Sequence, residues 1–269
     1  MLLKVKNIDH IMERFAPAML KEDYDNVGLM VGDCESQVTK ILIALDCTMD
    51  VICEAKDKGC NLILTHHPLL FVKPKNITTD TLVGKKIIEL IKSGINVYAS
   101  HTNLDSAQGG LNDIVTELLG FNKYKIIEPS IDCDECHSGI GRLVLLDEPI
   151  KLVDLCENVK RTLNTEFIRF VGSDNDLIKT IAIINGSGED FFDVSVKMGA
   201  DCIITGDTKY HHVSDLKEEN IALIDAGHFA TEWIPLKIFG EKLKKQLIED
   251  GYDNEVIISL NTHDPYKIK

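Results

Sequence analysis

The sequence predicts an α/β protein of two lobes built on largely parallel sheets. Three observations carry that expectation. Short, nearly continuous apolar runs alternate with amphipathic segments of helical period, the pattern of strands buried on both faces and crossed over by helices. Three of the amphipathic segments stop at a glycine, as helices do. A polar stretch rich in Cys, Asp and Glu, residues 129–141, separates two such series.

The elements follow in order. Apolar residues Val5, Ile8, Ile11, Met12 and Phe15 recur at helical spacing near the start. No signal-peptide core is expected there, and a cytoplasmic location follows as an expectation. Residues 40–45 (KILIAL) read as a strand, 49–58 as a helix ended by Gly59, and 61–65 as a strand. Residues 81–93 read as a helix ended by Gly94, 95–99 as a strand, and 111–119 as a helix ended by Gly120. The second series has strands at 142–146, 165–170, 180–184, 202–205, 222–225 and 255–259. Its helices fall at 150–163, 191–198 and roughly 230–249. The expected division is a first lobe over 1–128 and a second over 129–269, the last helix and strand packing back on the first.

Composition limits the function. The chain has 269 residues, 44% of them hydrophobic, enough for a substantial core. No apolar run is long enough to span a membrane. The net charge of -14, from 29 basic and 43 acidic residues, disfavours a nucleic-acid partner, which needs a basic face. An acidic chain still binds an anionic small molecule when bound metal ions invert the local field. The eight cysteines are expected as reduced thiols, with Cys47, Cys53, Cys60, Cys156 and Cys202 in or beside apolar patterns.

The chemistry gathers at strand ends. LILT leads to His66-His67, VYAS to His101 and the loop ending at Asp105, IIT to Gly206-Asp207, and ALIDA to His228 and then Glu232. Parallel α/β sheets bind ligands at the carboxyl ends of their strands. Adjacent His66 and His67 would diverge in an extended segment, serving two ions rather than one. His228 and Glu232, four apart, share a helix face. Three imidazoles and two carboxylates suit Zn, Mn, Fe, Co or Ni. Five ligands exceed one tetrahedral catalytic ion and serve two if Glu232 bridges. Two such ions, about 3.5–4 Å apart, support hydrolysis.

Other residues are read beside these. His101 is the candidate proton-transfer group. His211 and Asp207 are weaker candidates, Asp207 equally suiting a helix cap. Asn26 and Gly28 line a pocket or make an ordinary turn. Gly186-x-Gly188 resembles a phosphate-loop fragment but lacks the rest of that motif. Cys133-x-x-Cys136-His137 spells a haem-attachment motif that nothing else supports.

The segments THHPLLF (65–71), SHTNLD (100–105), ITGDTKYH (204–211) and DAGHFATE (225–232) resemble the Nif-three-like family, the GTP cyclohydrolase type 2 homologues or dinuclear metal-binding proteins. YDNVGLMVG (24–32) and GIGRLVLL (139–146) resemble it too. The resemblance implies two divalent ions per chain, held by His66, His67, Asp105, His228 and Glu232 in a cleft between two α/β lobes. It also implies a ring-shaped homohexamer. The expected activity is hydrolysis of a small molecule, a purine nucleotide such as GTP. The alternative is a non-catalytic metal-binding regulatory or scaffold protein. Trp233, directly after the last ligand, stands outside the recognised pattern.

Overall fold

A computed structural model describes residues 2–130, 138–267 and 269. The elements in chain order are α1 (Val5–Phe15), β1 (Gly28–Val31), β2 (Lys40–Ala44), α2 (Met49–Lys58), β3 (Leu62–Thr65), α3 (Leu82–Ser93), β4 (Asn96–Ala99), α4 (Thr102–Ser106) and α5 (Leu111–Leu118). There follow β5 (Lys125–Pro129), β6 (Gly139–Lys151), α6 (Leu152–Thr162), β7 (Arg169–Val171), β8 (Leu177–Ser187), α7 (Phe192–Lys197), β9 (Cys202–Gly206), α8 (Tyr210–Glu218), β10 (Ala222–Asp225), α9 (His228–Glu249) and β11 (Glu255–Ile258). They form two compact units, residues 1–104 with 236–269, and residues 105–235. Among the described residues, no helix is long and apolar enough to cross a membrane.

The first unit holds the sheet β1-β4-β3-β2-β11. It is parallel except where the edge strand β1 runs antiparallel to β4. Helices α2 and α3 make its crossovers. Thr48 and Thr81 cap them by accepting from the amides of Val51 and Gly84, and Gly59 and Gly94 close them in the left-handed conformation. Leu42, Ile63 and Val97 of the strands pack with Val51, Ile52 and Leu90 of the helices. Register sets Ala44 beside Thr65 and Thr65 beside Ala99. Asp46, His66, His67 and His101 therefore all follow the same sheet edge.

The second unit holds the sheet β5-β6-β8-β9-β10-β7. Its centre, β8-β9-β10, is parallel, and antiparallel strands flank it. Period-two alternation covers both faces. Ile181, Ile183, Cys202 and Ile204 pack with Leu155 and Val159 on one side. Ala182, Ile184 and Ile203 pack with Phe192 and Leu216 on the other. Thr205 pairs with Asp225 and Gly206 with Ser187, so Gly186, Asp207 and His228 also end up at one edge.

Several elements depart from the sequence expectation. The SHTNLD segment is not a loop beyond Ser100 and His101. Residues 102–106 form the helix α4. Its start is held by the distant Asp25 carboxylate, which accepts from the Thr102 amide at 3.0 Å. The edge strands β1 and β5 and the polar helix α8 had no clear periodic signal. Strand β6 runs past 142–146 through a register irregularity between Leu145 and Ile150. Cys133-x-x-Cys136-His137 lies outside the described residues. Cys47, Cys60, Cys156 and Cys202 are buried thiols, whereas Cys34 and Cys53 are exposed.

Candidate metal centre

In the first unit, the chain leaves β3 through a bend at His66 and His67. The bend removes the divergence expected of an extended segment. The two ring centroids lie 5.3 Å apart. The His66 and His101 centroids lie 5.1 Å apart. A ligand atom of each of His66, His67 and His101 falls within 4.8 Å of the others, the geometry of a candidate metal-binding group.

The ring orientations share one rule. His66 Nδ1 lies 2.9 Å from the Ser100 carbonyl oxygen. A carbonyl only accepts, so Nδ1 carries the proton and Nε2 carries the ligand lone pair. His67 Nδ1 lies 2.9 Å from Asp46 Oδ1. His101 Nδ1 lies 2.8 Å from Asp25 Oδ1. Each ionised carboxylate fixes the same tautomer. This is the arrangement of metal-ligating histidines, whose second nitrogen is tied to an oxygen acceptor.

Asp25 is the most heavily bonded of these acceptors. It accepts from Thr102 Oγ1 at 2.5 Å, from the Thr102 amide at 3.0 Å and from the Asn26 amide at 2.7 Å. Burial pushes its carboxyl up. The hydrogen bonds from His101, Thr102 and the Asn26 amide outweigh burial and hold it well below the usual carboxylate range.

The second unit holds the candidate carboxylates. His228 begins α9, and its Nδ1 lies 2.9 Å from Asp207 Oδ2. Its Nε2 lies 2.9 Å from Glu232 Oε2, the expected one-face pairing. Asp207 sits at φ 53°, a left-handed conformation uncommon for a residue with a side chain. Asp207 thus orients a candidate ligand and is no helix N-cap. Glu232 is 3% exposed and Asp105 8% exposed. Asp105 Oδ1 accepts from Asn185 Nδ2 at 2.7 Å. Gly186, at φ 61°, passes so close that an added Cβ would lie 2.1 Å from Glu232 Oε1. The Gly188 amide donates to Thr205 Oγ1 at 3.1 Å. The Gly186-x-Gly188 pair is therefore a close-approach turn beside Glu232.

The remaining candidates fall elsewhere. His211 and His212 are exposed on α8. Asn26 spends its amide on the Leu70 carbonyl at 2.8 Å. Trp233 is buried, 6.3 Å from the Phe229 ring. Sequence reading missed Asp25, Asp46 and Asn185. Asp46 and Asn185 each follow an apolar strand run directly, the same signal that marked the candidate ligands. Asp25 carries no such mark.

Fold and site define an α/β protein with paired sets of oriented imidazoles and carboxylates at strand ends. The Duf34/NIF3 (NGG1p interacting factor 3) profile matches residues 3–265, and the chain belongs to that family. It is 52% identical over 269 residues to a "GTP cyclohydrolase 1 type 2 homolog" of Clostridium acetobutylicum, covering 100% of both chains. A Clostridium perfringens relative of the same name is 52% identical over 98% of this chain and 99% of its own. Among solved structures, a Staphylococcus aureus hypothetical protein matches with TM-score 0.86 and 31% identity over 100% of both chains. Reduced HcgD from Methanocaldococcus jannaschii matches with TM-score 0.81 and 30% identity over 96% of this chain and 98% of that one.

Proposed function

We propose that the protein is a hydrolase dependent on two divalent metal ions, held by His66, His67, Asp105, His228 and Glu232. The observation that carries the reading is the common orientation of the imidazoles. His66, His67, His101 and His228 each have Nδ1 beside an oxygen acceptor, which turns Nε2 into the ligand atom. The donor set of imidazole nitrogens and carboxylate oxygens fits Zn, Mn, Fe, Co or Ni. Ions bound there would supply water activation and charge neutralisation for an anionic substrate.

His101 is the candidate group for moving protons. Asp25 holds its Nδ1, so its exchangeable position is Nε2. The substrate class is a purine nucleotide or related heterocycle, supported by the name of the Clostridium relatives. The family resemblance adds a cytoplasmic homohexamer to the proposal, and light scattering tests it.

One observation favours a second reading, a metal-binding regulatory or scaffold protein without turnover. His101 converges with His66 and His67, and a third imidazole would close the shell of an ion there. A GTP turnover assay on protein loaded separately with each metal distinguishes the two. Turnover abolished by His228→Ala supports the hydrolase. No turnover with any metal, at full metal content, rejects it in favour of the second reading.

A further inference from the structure

The end of β8 holds a residue whose side chain is turned on a candidate ligand. Asn185 is 7% exposed. Its Nδ2 donates to Asp105 Oδ1 at 2.7 Å. Its Oδ1 is buried, and no hydrogen-bond donor of the described residues reaches it. Rotating the amide would set Oδ1 against a carboxylate oxygen, so Asp105 alone fixes which way it points.

The backbone around it is equally constrained. The Asn185 amide donates to Asn112 Oδ1 at 3.0 Å, and Asn112 Nδ2 donates to the Asp105 carbonyl at 3.2 Å. Asn112 thus ties the Asp105 backbone to the Asn185 backbone, and the Asn185 side chain closes the ring on the Asp105 carboxylate. The next residue, Gly186, abuts Glu232 and donates its amide to Thr231 Oγ1 at 3.0 Å. One strand end touches both acidic ligands.

We infer that Asn185 is a positioning residue that occupies one oxygen of Asp105, so that Asp105 binds its metal ion through the other oxygen alone. The inference rests on the proposed two-metal reading. A carboxylate with both oxygens available binds an ion in either a one-oxygen or a two-oxygen mode. Occupying Oδ1 selects the first and keeps a coordination position open for substrate.

The test uses full-length wild type, Asn185→Ala and the near-isosteric, uncharged Asn185→Leu. Cobalt(II) is the probe, with affinity measured by chelator competition and coordination by visible absorption. Asn185→Leu keeps the bulk but has no donor and adds no charge, so a space-filling role survives it and a donor role does not. Both variants are expected to bind one of two cobalt ions about 10–100-fold more weakly. Their visible bands are expected to weaken, because a second Asp105 oxygen raises the coordination number. Wild-type affinity and spectrum in Asn185→Leu would overturn the inference and leave the two-metal reading standing. A wild type that binds no cobalt would overturn both. If Asn185→Ala fails to fold, Asn185→Leu decides alone.

Discussion

The two units position their candidate ligands by different means. In the first, imidazoles sit at the ends of adjacent parallel strands, and their orienting acceptors come from neighbouring strand ends. Ser100 follows β4, Asp46 follows β2, and only Asp25 comes from outside the parallel core. In the second, tight turns lie against one imidazole and one carboxylate, and a strand-end amide holds the other carboxylate. Asp207 takes a left-handed conformation and Gly186 leaves no room for a side chain. Sheet register does most of the positioning in the first unit, and backbone turns do it in the second. A turn transmits any change directly to its ligand, so the second unit is the more sensitive half.

The largest expected effect comes from the framework of that half. Arg142, fully buried, donates to Asp113 and to the carbonyls of Gly139 and Gly141 at 2.7 and 2.9 Å. Asp113 follows Asn112 on α5, so the ion pair braces the ring around Asn185. Asp113→Ala leaves the Arg142 charge buried without its partner. It is expected to cost about 3–5 kcal/mol in urea unfolding. A loss under about 1 kcal/mol would show that the pair does not brace the unit.

Gly186→Ala comes next. The left-handed backbone and the 2.1 Å approach to Glu232 both oppose a Cβ. A loss of about 1–3 kcal/mol in stability is expected. Metal affinity should fall with it, which no strand-end substitution of similar size in the first unit should match. Equal metal binding in Gly186→Ala would break the contrast between the units.

Much of the fold was legible because the helices α2 and α3 and the strands β2, β3, β4, β9 and β10 announce themselves by period and by glycine stops. The candidate ligands were legible for the same reason, each following such a strand. What stayed hidden depends on distant partners. The helix α4 owes its start to Asp25, and Asp25 lies 77 residues before Thr102. Strand β1 is a half-buried edge whose identity comes from pairing with β4. The convergence of His66 and His67 depends on a bend that alternation arguments do not contain.

The first unit has its own sensitive point, away from the ligands. Glu54 on α2 accepts from Ser259 Oγ at 2.6 Å and from the Leu260 amide at 2.9 Å, and Lys58 reaches it at 2.7 Å. Burial raises its carboxyl, but the Leu260 amide, Lys58, Ser259 and Asn261 together hold it down at about 2. The ordinary value is 4.5. A depressed carboxyl stabilises the fold above its unfolded value and loses that contribution as pH falls through the folded value. Glu54→Gln is expected to cost about 1–2 kcal/mol at pH 7. The gap to wild type should close between pH 4.5 and about 2. A gap unchanged over that window would show that Glu54 does not act through its charge.

The smallest effect is expected at Asp46. Its side chain is 54% exposed, and its Oδ1 lies 2.9 Å from His67 Nδ1. Asp46→Asn keeps a carbonyl acceptor for Nδ1, so metal affinity should fall by no more than about tenfold. A larger loss would mean that Asp46 itself ligates.

The measurement closest to the central claim is metal stoichiometry by elemental analysis after loading with zinc or manganese and desalting. The account expects two ions per chain in wild type, with fewer in His66→Ala and in His228→Ala. No bound metal in folded wild type, or two ions still held by both variants, would contradict it.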